Sequence, residues 1–188
     1  MKINKSVKHF TIEVLKIYKK INPSIHFILN KKDFDYRKKI KENIFENLLK
    51  FPKKMFKGEE LLEFGSGTGD TSVYYSNWGA KLTGVEINKD AITRCKKIYA
   101  KYHKKKDYKF INQSLFDYKK KKLFDIVTAD GVLHHTNNPK QGFKKLCNSL
   151  KPNGYLIYGT NLSSSRFLRN LQRFILIKYT IKKFNKIN

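Results

Sequence analysis

Leu61-Leu62-Glu63-Phe64-Gly65-Ser66-Gly67-Thr68-Gly69-Asp70 is the stretch on which the reading of this 188-residue chain turns. An apolar strand runs into an acidic residue, and three glycines at alternate positions precede a short helix. Glycine lets a backbone turn tightly and lie against a ligand, and the start of a helix offers free N–H groups. Turns of this kind hold nucleotide-like ligands at the carboxyl edge of a parallel sheet.

A second element follows at the required distance. Lys81-Leu82-Thr83-Gly84-Val85-Glu86 reads as a strand ending in a carboxylate, nineteen residues beyond Gly67. A carboxylate there grips ribose hydroxyls in nucleotide-binding α/β folds. Two ligand classes compete, a dinucleotide and S-adenosylmethionine. The dinucleotide fingerprint Gly-x-Gly-x-x-Gly is not met, because its last glycine would fall on Asp70 or Ser72. Glu63 and Asp70 would also repel a pyrophosphate, whereas a sulfonium and an ammonium group would favour Glu63.

With these residues in place, the chain resembles the class I S-adenosylmethionine-dependent methyltransferases. Glu63-Phe64-Gly65-Ser66-Gly67-Thr68-Gly69 is similar to their acidic-x-Gly-x-Gly-x-Gly motif, and Gly84-Val85-Glu86-Ile87-Asn88 to their acidic second-strand motif. Phe124-Asp125-Ile126-Val127-Thr128-Ala129-Asp130-Gly131-Val132-Leu133-His134-His135-Thr136 resembles the fourth-strand motif, and Leu150-Lys151-Pro152-Asn153-Gly154-Tyr155-Leu156-Ile157 the turn into strand five. The resemblance covers about residues 58 to 162. It implies a Rossmann-like, doubly wound α/β fold, and S-adenosylmethionine held by Glu63, Gly65, Ser66, Gly67, Gly69, Glu86, Ile87 and Asp130. Many relatives carry an aspartate after strand three, near the adenine. Here Asn112-Gln113-Ser114-Leu115 occupies that region, so Ser114 or the Leu115 N–H takes the adenine contact.

Alternating strands and helices imply a parallel sheet in the order 3-2-1-4-5. Asp70 to Asn77 reads as a short helix, and Lys89 to Tyr102 as one with Ala91, Cys95, Ile98 and Tyr102 on one face. Tyr108 to Asn112 reads as strand three and Phe124 to Ala129 as strand four. Phe143, Leu146, Cys147 and Leu150 mark the helix before strand five, Tyr155 to Thr160. Residues 1–57 read as an N-terminal helical extension. Val7, Phe10, Val14, Ile17 and Ile21 suggest one amphipathic helix; Tyr36, Ile40, Ile44, Leu48 and Leu49 suggest a second, stopped by Pro52. Residues 58–162 form the methyltransferase core. In 163–188 a helix over Arg166 to Lys178 leaves about ten residues, too few for the family's strands six and seven. The chain therefore reads as a fragment or a minimal variant, with or without catalysis.

The formal charge is +26, and the excess is lysine: 36 Lys against 5 Arg. A+T-rich coding accounts for such a bias, and bidentate phosphate recognition would favour arginine. A nucleic-acid partner is therefore a weaker expectation than a small-molecule or lipid-precursor acceptor. Lysines clustered along the cofactor cleft would favour RNA; scattered lysines would favour a small acceptor. Cys95 and Cys147 read as core residues, with no metal-site spacing. The apolar run Phe174-Ile175-Leu176-Ile177 is too short to span a bilayer, and a reduced cytoplasm is the expected compartment.

Methyl transfer from a sulfonium is an in-line displacement, so the protein chiefly aligns the acceptor and excludes water. A hydroxyl or ammonium acceptor also needs a base. Asp130, at the end of strand four, is a candidate for that role or for a cofactor contact. His134 and His135 are candidates for the base or for ordering the loop.

Overall fold

The computed structural model describes residues 30–119 and 122–160, with isolated positions 12, 13, 15, 16, 28 and 171. Most of the first expected helix, the tail helix over Arg166 to Lys178 and the region of strands six and seven lie outside these residues.

Five parallel strands make one sheet in the order β3-β2-β1-β4-β5. They are β1 (Glu60–Phe64), β2 (Lys81–Glu86), β3 (Tyr108–Asn112), β4 (Phe124–Asp130) and β5 (Leu150–Gly159). The helices are α1 (Lys31–Asn43), α2 (Ser72–Asn77), α3 (Lys89–Tyr102) and α4 (Pro139–Cys147). Because all the pairings are parallel, every strand starts at one end of the sheet and finishes at the other. The glycine turn, the β2 terminus and the histidine pair therefore share one edge, the strand ends.

Local chemistry sets the helix boundaries. The side chains of Asn30, Asn88 and Asn138 cap α1, α3 and α4 by accepting from Asp33, Asp90 and Gln141 N–H groups. Asp33 and Asp90 sit in first turns, where the helix dipole favours negative charge. One side of the sheet packs Phe45, Phe51, Phe56, Tyr75 and Trp78 in edge-to-face and stacked contacts. Leu62, Phe64, Val85, Phe124, Val127 and Leu146 fill the other.

Helix α1 departs from the expected packing. Tyr36, Ile40, Leu48 and Leu49 are exposed, and α1 instead buries Phe34, which stacks on Tyr102 at 4.3 Å. Phe34 and Phe45 are eleven residues apart, about three α-helical turns, so they share one face, from which Tyr36 and Ile40 point away. A π-helical turn at Ile44–Leu48 then widens the helix where Leu48 and Leu49 are exposed. Two further corrections concern the region around strand five. Cys147 is exposed, not in the core, while Cys95 is buried. Strand five begins at Leu150, and the turn read before it is a bulge inside it: Phe124 pairs with Leu150, but Ile126 with Tyr155. Asn153, at φ 62°, makes that bulge. Phe143 on α4 is also partly exposed, against the edge of Tyr158.

Candidate functional site: a carboxylate-lined cleft at the strand ends

The turn after β1 is left-handed at all three glycines, with φ of 71° at Gly65, 54° at Gly67 and 84° at Gly69. L-residues reach this region only with strain, which explains glycine at each position. Their surroundings differ. A Cβ on Gly65 would collide with Val132 Cγ2, and one on Gly69 with Cys95 Sγ, so those two let neighbouring elements close on the loop. A Cβ on Gly67 would meet nothing nearer than 3.9 Å. Gly67 faces open space, where a ligand can lie against the backbone.

Glu86 ends β2 beside this loop and is buried. Its Oε2 accepts from Gly67 N–H at 2.9 Å and its Oε1 from Asn88 N–H at 2.8 Å. Burial raises its carboxyl above the usual carboxylate range, and these two backbone bonds pull the other way. Asn112, at the end of β3, donates from Nδ2 to the carbonyls of Glu86 and Ile87 at 2.9 and 2.8 Å. It fixes the segment that carries Glu86, a role invisible to motif reading because Asn112 looks like an ordinary strand end.

Glu63 lies in β1 beneath the loop and is also buried. The Ser72 hydroxyl, at the first residue of α2, donates to its Oε2. Burial raises its carboxyl to about 7; the Ser72 bond and Lys41 lower it, while Asp130 and Glu86 raise it. Glu63 thus senses the charges of both Glu86 and Asp130 across the cleft. Such an arrangement repels anions and suits a cation, as the sequence reading of Glu63 requires.

Asp130 is more than half exposed at the end of β4, and Lys41 of α1 reaches to 3.5 Å from its Oδ2. Its Oδ1 fills the space where Gly159 lacks a side chain. The N-terminal extension therefore touches the rim of the cleft, through a residue that sequence reading did not single out. His134 and His135 occupy the 3-10 turn after β4, with ring centroids 4.1 Å apart. His134 is half-buried and His135 exposed.

The remaining candidates are placed less directly. Ser66 is buried, and its hydroxyl has no hydrogen-bond partner among the described residues. Ser114 Oγ accepts from Phe116 N–H at 3.1 Å, closing a turn, and the Leu115 side chain packs into the core near Leu133. Among the described residues no cluster could hold a metal ion, and no helix is long and apolar enough to cross a membrane.

The residues fit S-adenosylmethionine on two observations: open space above Gly67, and carboxylates where a cationic ligand would lie. Comparison with known proteins agrees. A family model described as a methyltransferase domain matches residues 36–185. The chain is 32% identical over 123 residues to a ubiquinone biosynthesis O-methyltransferase of Pelagibacter ubique, covering 64% of this chain and 50% of that protein. It is 31% identical over 111 residues to the mitochondrial enzyme of that name from Schizosaccharomyces pombe, covering 56% and 39%. The chain thus spans half or less of the length of these curated relatives. Among solved structures, the DhpI-SAM-HEP complex aligns with a TM-score of 0.58 at 14% identity, over 90% of this chain and 73% of that one. The [4+2]-cyclase SpnF aligns at 0.50 and 20% identity, over 54% and 38%. These likenesses show the fold alone, and a cyclase among them shows that this fold does not dictate one reaction. The family model, the strand order and the motif-bearing loops agree that the chain belongs to the class I S-adenosylmethionine-dependent methyltransferases.

Proposed function

We propose that this chain directs methyl transfer from S-adenosylmethionine to a hydroxyl oxygen of a small organic acceptor. The observation that carries the reading is the convergence of Glu63, Glu86 and open Gly67 at the strand ends, with Asp130 and the two histidines on the rim of the same cleft. The oxygen acceptor is supported by relatives named O-methyltransferases at 31–32% identity.

When bound, S-adenosylmethionine supplies an electrophilic methyl group on a cationic sulfur. Gly67 presents bare backbone to the ligand, and Glu86 offers carboxylate lone pairs for ribose hydroxyls. Glu63 supplies negative charge beneath the loop, where an ammonium or sulfonium gains from it. Ser66 adds a buried hydroxyl without a partner among the described residues, beside Gly84. On the acceptor side, His135 is exposed in the turn after β4 and takes the hydroxyl proton at an imidazole nitrogen. His134 packs at a tilt against it and orients the ring, and Asp130 shapes the rim with Lys41.

The test is calorimetry with S-adenosylhomocysteine, followed by transfer of a labelled methyl group to phenols, catechols, amines and RNA. Expected are saturable cofactor binding and label on hydroxyl compounds, with transfer lost in His135→Ala while binding persists. Label appearing only on amines or RNA overturns the oxygen-acceptor reading.

A further inference from the structure

The lysines of the fold are not scattered evenly. At the end where the strands begin, opposite the cleft, an exposed lysine stands at or just before every strand: Lys57, Lys81, Lys104–Lys106, Lys122 and Lys151. The carboxylates at that end are Glu59, Glu60, Asp107 and Asp125. Three of these are already engaged: Glu60 pairs with Lys122 at 2.6 Å, Asp125 with Lys151 at 2.6 Å and Asp107 with His103 at 2.7 Å. Glu59 faces Lys81 and Lys151, which leaves the positive charge of Lys57 and Lys104–Lys106 toward solvent. Beside them a cavity of about 320 Å³ is lined by Lys38, Lys53, Lys54 and Lys57, with Glu42, Asn77 and Trp78. Glu42 pairs with Lys53 at 3.2 Å and Lys38 at 4.0 Å, so Lys54 and Lys57 are the cavity's uncompensated charges. The opposite end carries Glu63, Asp70, Glu86, Asp90 and Asp130 beside Lys41, Lys89 and Lys140. A coding bias predicts lysine everywhere; it does not predict this difference in charge between the two ends.

We propose that the strand-start end is a docking surface for an anionic phospholipid bilayer. The inference is independent of the acceptor, because the patch and the cleft lie at opposite ends of strands five or more residues long. At about 3.3 Å per residue they are roughly 20 Å apart. The patch spans all five strand starts, which at about 4.8 Å per strand makes an array roughly 20 Å wide. No arginine stands at that end among the described residues, so the forked contacts that favour phosphate or base recognition in nucleic acids are missing. The aromatic rings there are not offered as stacking platforms: Tyr108 packs against Tyr99, and Phe124 is buried beneath Lys122. Lysine point charges spread over separate loops suit lipid headgroups, which require positive charge near the surface and no fixed geometry. The lysine-lined cavity gives one headgroup phosphate a concave seat. Docked in this way, the enzyme turns its cleft toward the aqueous phase.

Co-sedimentation of the whole chain with vesicles tests this. The wild type should bind phosphatidylcholine vesicles containing about a third phosphatidylglycerol, should ignore pure phosphatidylcholine, and should detach as salt rises to about 0.5 M. K104E/K105E should weaken that binding by at least about tenfold, and K96E/K97E, the same charge change in the middle of α3, by less than about threefold. S-adenosylhomocysteine affinity should be unchanged in both variants, which shows that each is folded. Equal losses in the two variants would mean net charge alone and overturn the proposal, as would no binding by the wild type at low salt. Duplex RNA binding that is lost in K104E/K105E while vesicle binding is retained would assign the surface to nucleic acid instead.

Discussion

Gly67 N–H donates to Glu86 Oε2 at 2.9 Å, tying the glycine turn after β1 to the end of β2. The second carboxylate oxygen takes the Asn88 N–H at 2.8 Å. Glu86 is thus a strut between two loops as well as a candidate ribose ligand, and its substitution has two consequences. Glu86→Ala leaves two backbone donors without their acceptor, at a cost of about 1–3 kcal/mol of stability. For a chain of this size each kcal/mol lowers the melting temperature by roughly 2–4 °C. The same variant should weaken S-adenosylhomocysteine binding by about tenfold or more, the worth of one charged hydrogen bond. Glu86→Gln keeps one acceptor and should fall between Ala and wild type in both measurements. Equal melting and equal affinity for all three proteins would remove Glu86 from both roles.

The glycines of the turn separate binding from folding. Gly67→Ala and Gly69→Ala both place a side chain at positive φ, which costs about 1–2 kcal/mol. Only at Gly69 does the new Cβ run into Cys95 Sγ, adding an overpacking cost of about 1–3 kcal/mol. Removing the sulfur with Cys95→Ala should therefore recover part of the stability lost in Gly69→Ala, and nothing in Gly67→Ala. Gly67→Val should retain most of the fold and lose cofactor binding, because its side chain fills the open space above the loop. Circular dichroism and calorimetry on these variants, with Cys95→Ala alone and the wild type as references, check both statements.

Much of this architecture is legible in the chain itself, and the failures have a physical pattern. The strand order and the glycine turn follow from signals a few residues long: Gly-x-Gly-x-Gly after an apolar run, and carboxylates at strand ends. The inward face of α1 is not legible from periodicity, because tertiary packing chooses between two apolar stripes. Phe34 and Phe45, eleven residues or about three helical turns apart, form the buried one, while Tyr36 and Ile40 stay exposed. Periodicity also could not show Lys41 reaching Asp130, since that contact joins residues 89 positions apart. The role of Asn112 is hidden for the same reason: its partners are the backbone of Glu86 and Ile87, 26 and 25 residues earlier.

That choice of inward face is itself testable. Phe45 is 2% exposed within a cluster of aromatic rings, while Leu48 on the same segment is 70% exposed. Phe45→Ala should cost about 3–5 kcal/mol, as for other buried aromatic residues cut to alanine. Leu48→Ala should stay within about 0.5 kcal/mol of wild type. Urea titrations of the two variants decide it; the reverse ranking would place the inward face of α1 on the Tyr36–Ile40 stripe.

Glu63 should make cofactor binding depend on pH, with a sign that follows from burial. Its carboxyl sits near 7 in the folded chain, against 4.5 for an ordinary glutamate. In the unfolded chain it ionises first as pH rises, so between about 4.5 and 7 the unfolded state holds fewer protons than the folded one. The stability of the ligand-free protein should accordingly fall as pH climbs through that window and level off above it. Binding runs the other way. The ammonium of S-adenosylhomocysteine gains from Glu63 only when the carboxyl is ionised. Affinity should therefore rise with pH, by up to about tenfold per unit below 7, and level off above. Glu63→Gln removes the titrating group while keeping an acceptor for the Ser72 hydroxyl. Both trends should flatten in that variant, with affinity held at the weak, low-pH value. Calorimetric titrations from about pH 5.5 to 8.5, paired with thermal melts over the same range, measure both arms. A wild-type affinity that does not change across that range, or an equal slope in Glu63→Gln, would mean that the charge beneath the glycine loop takes no part in holding the cofactor.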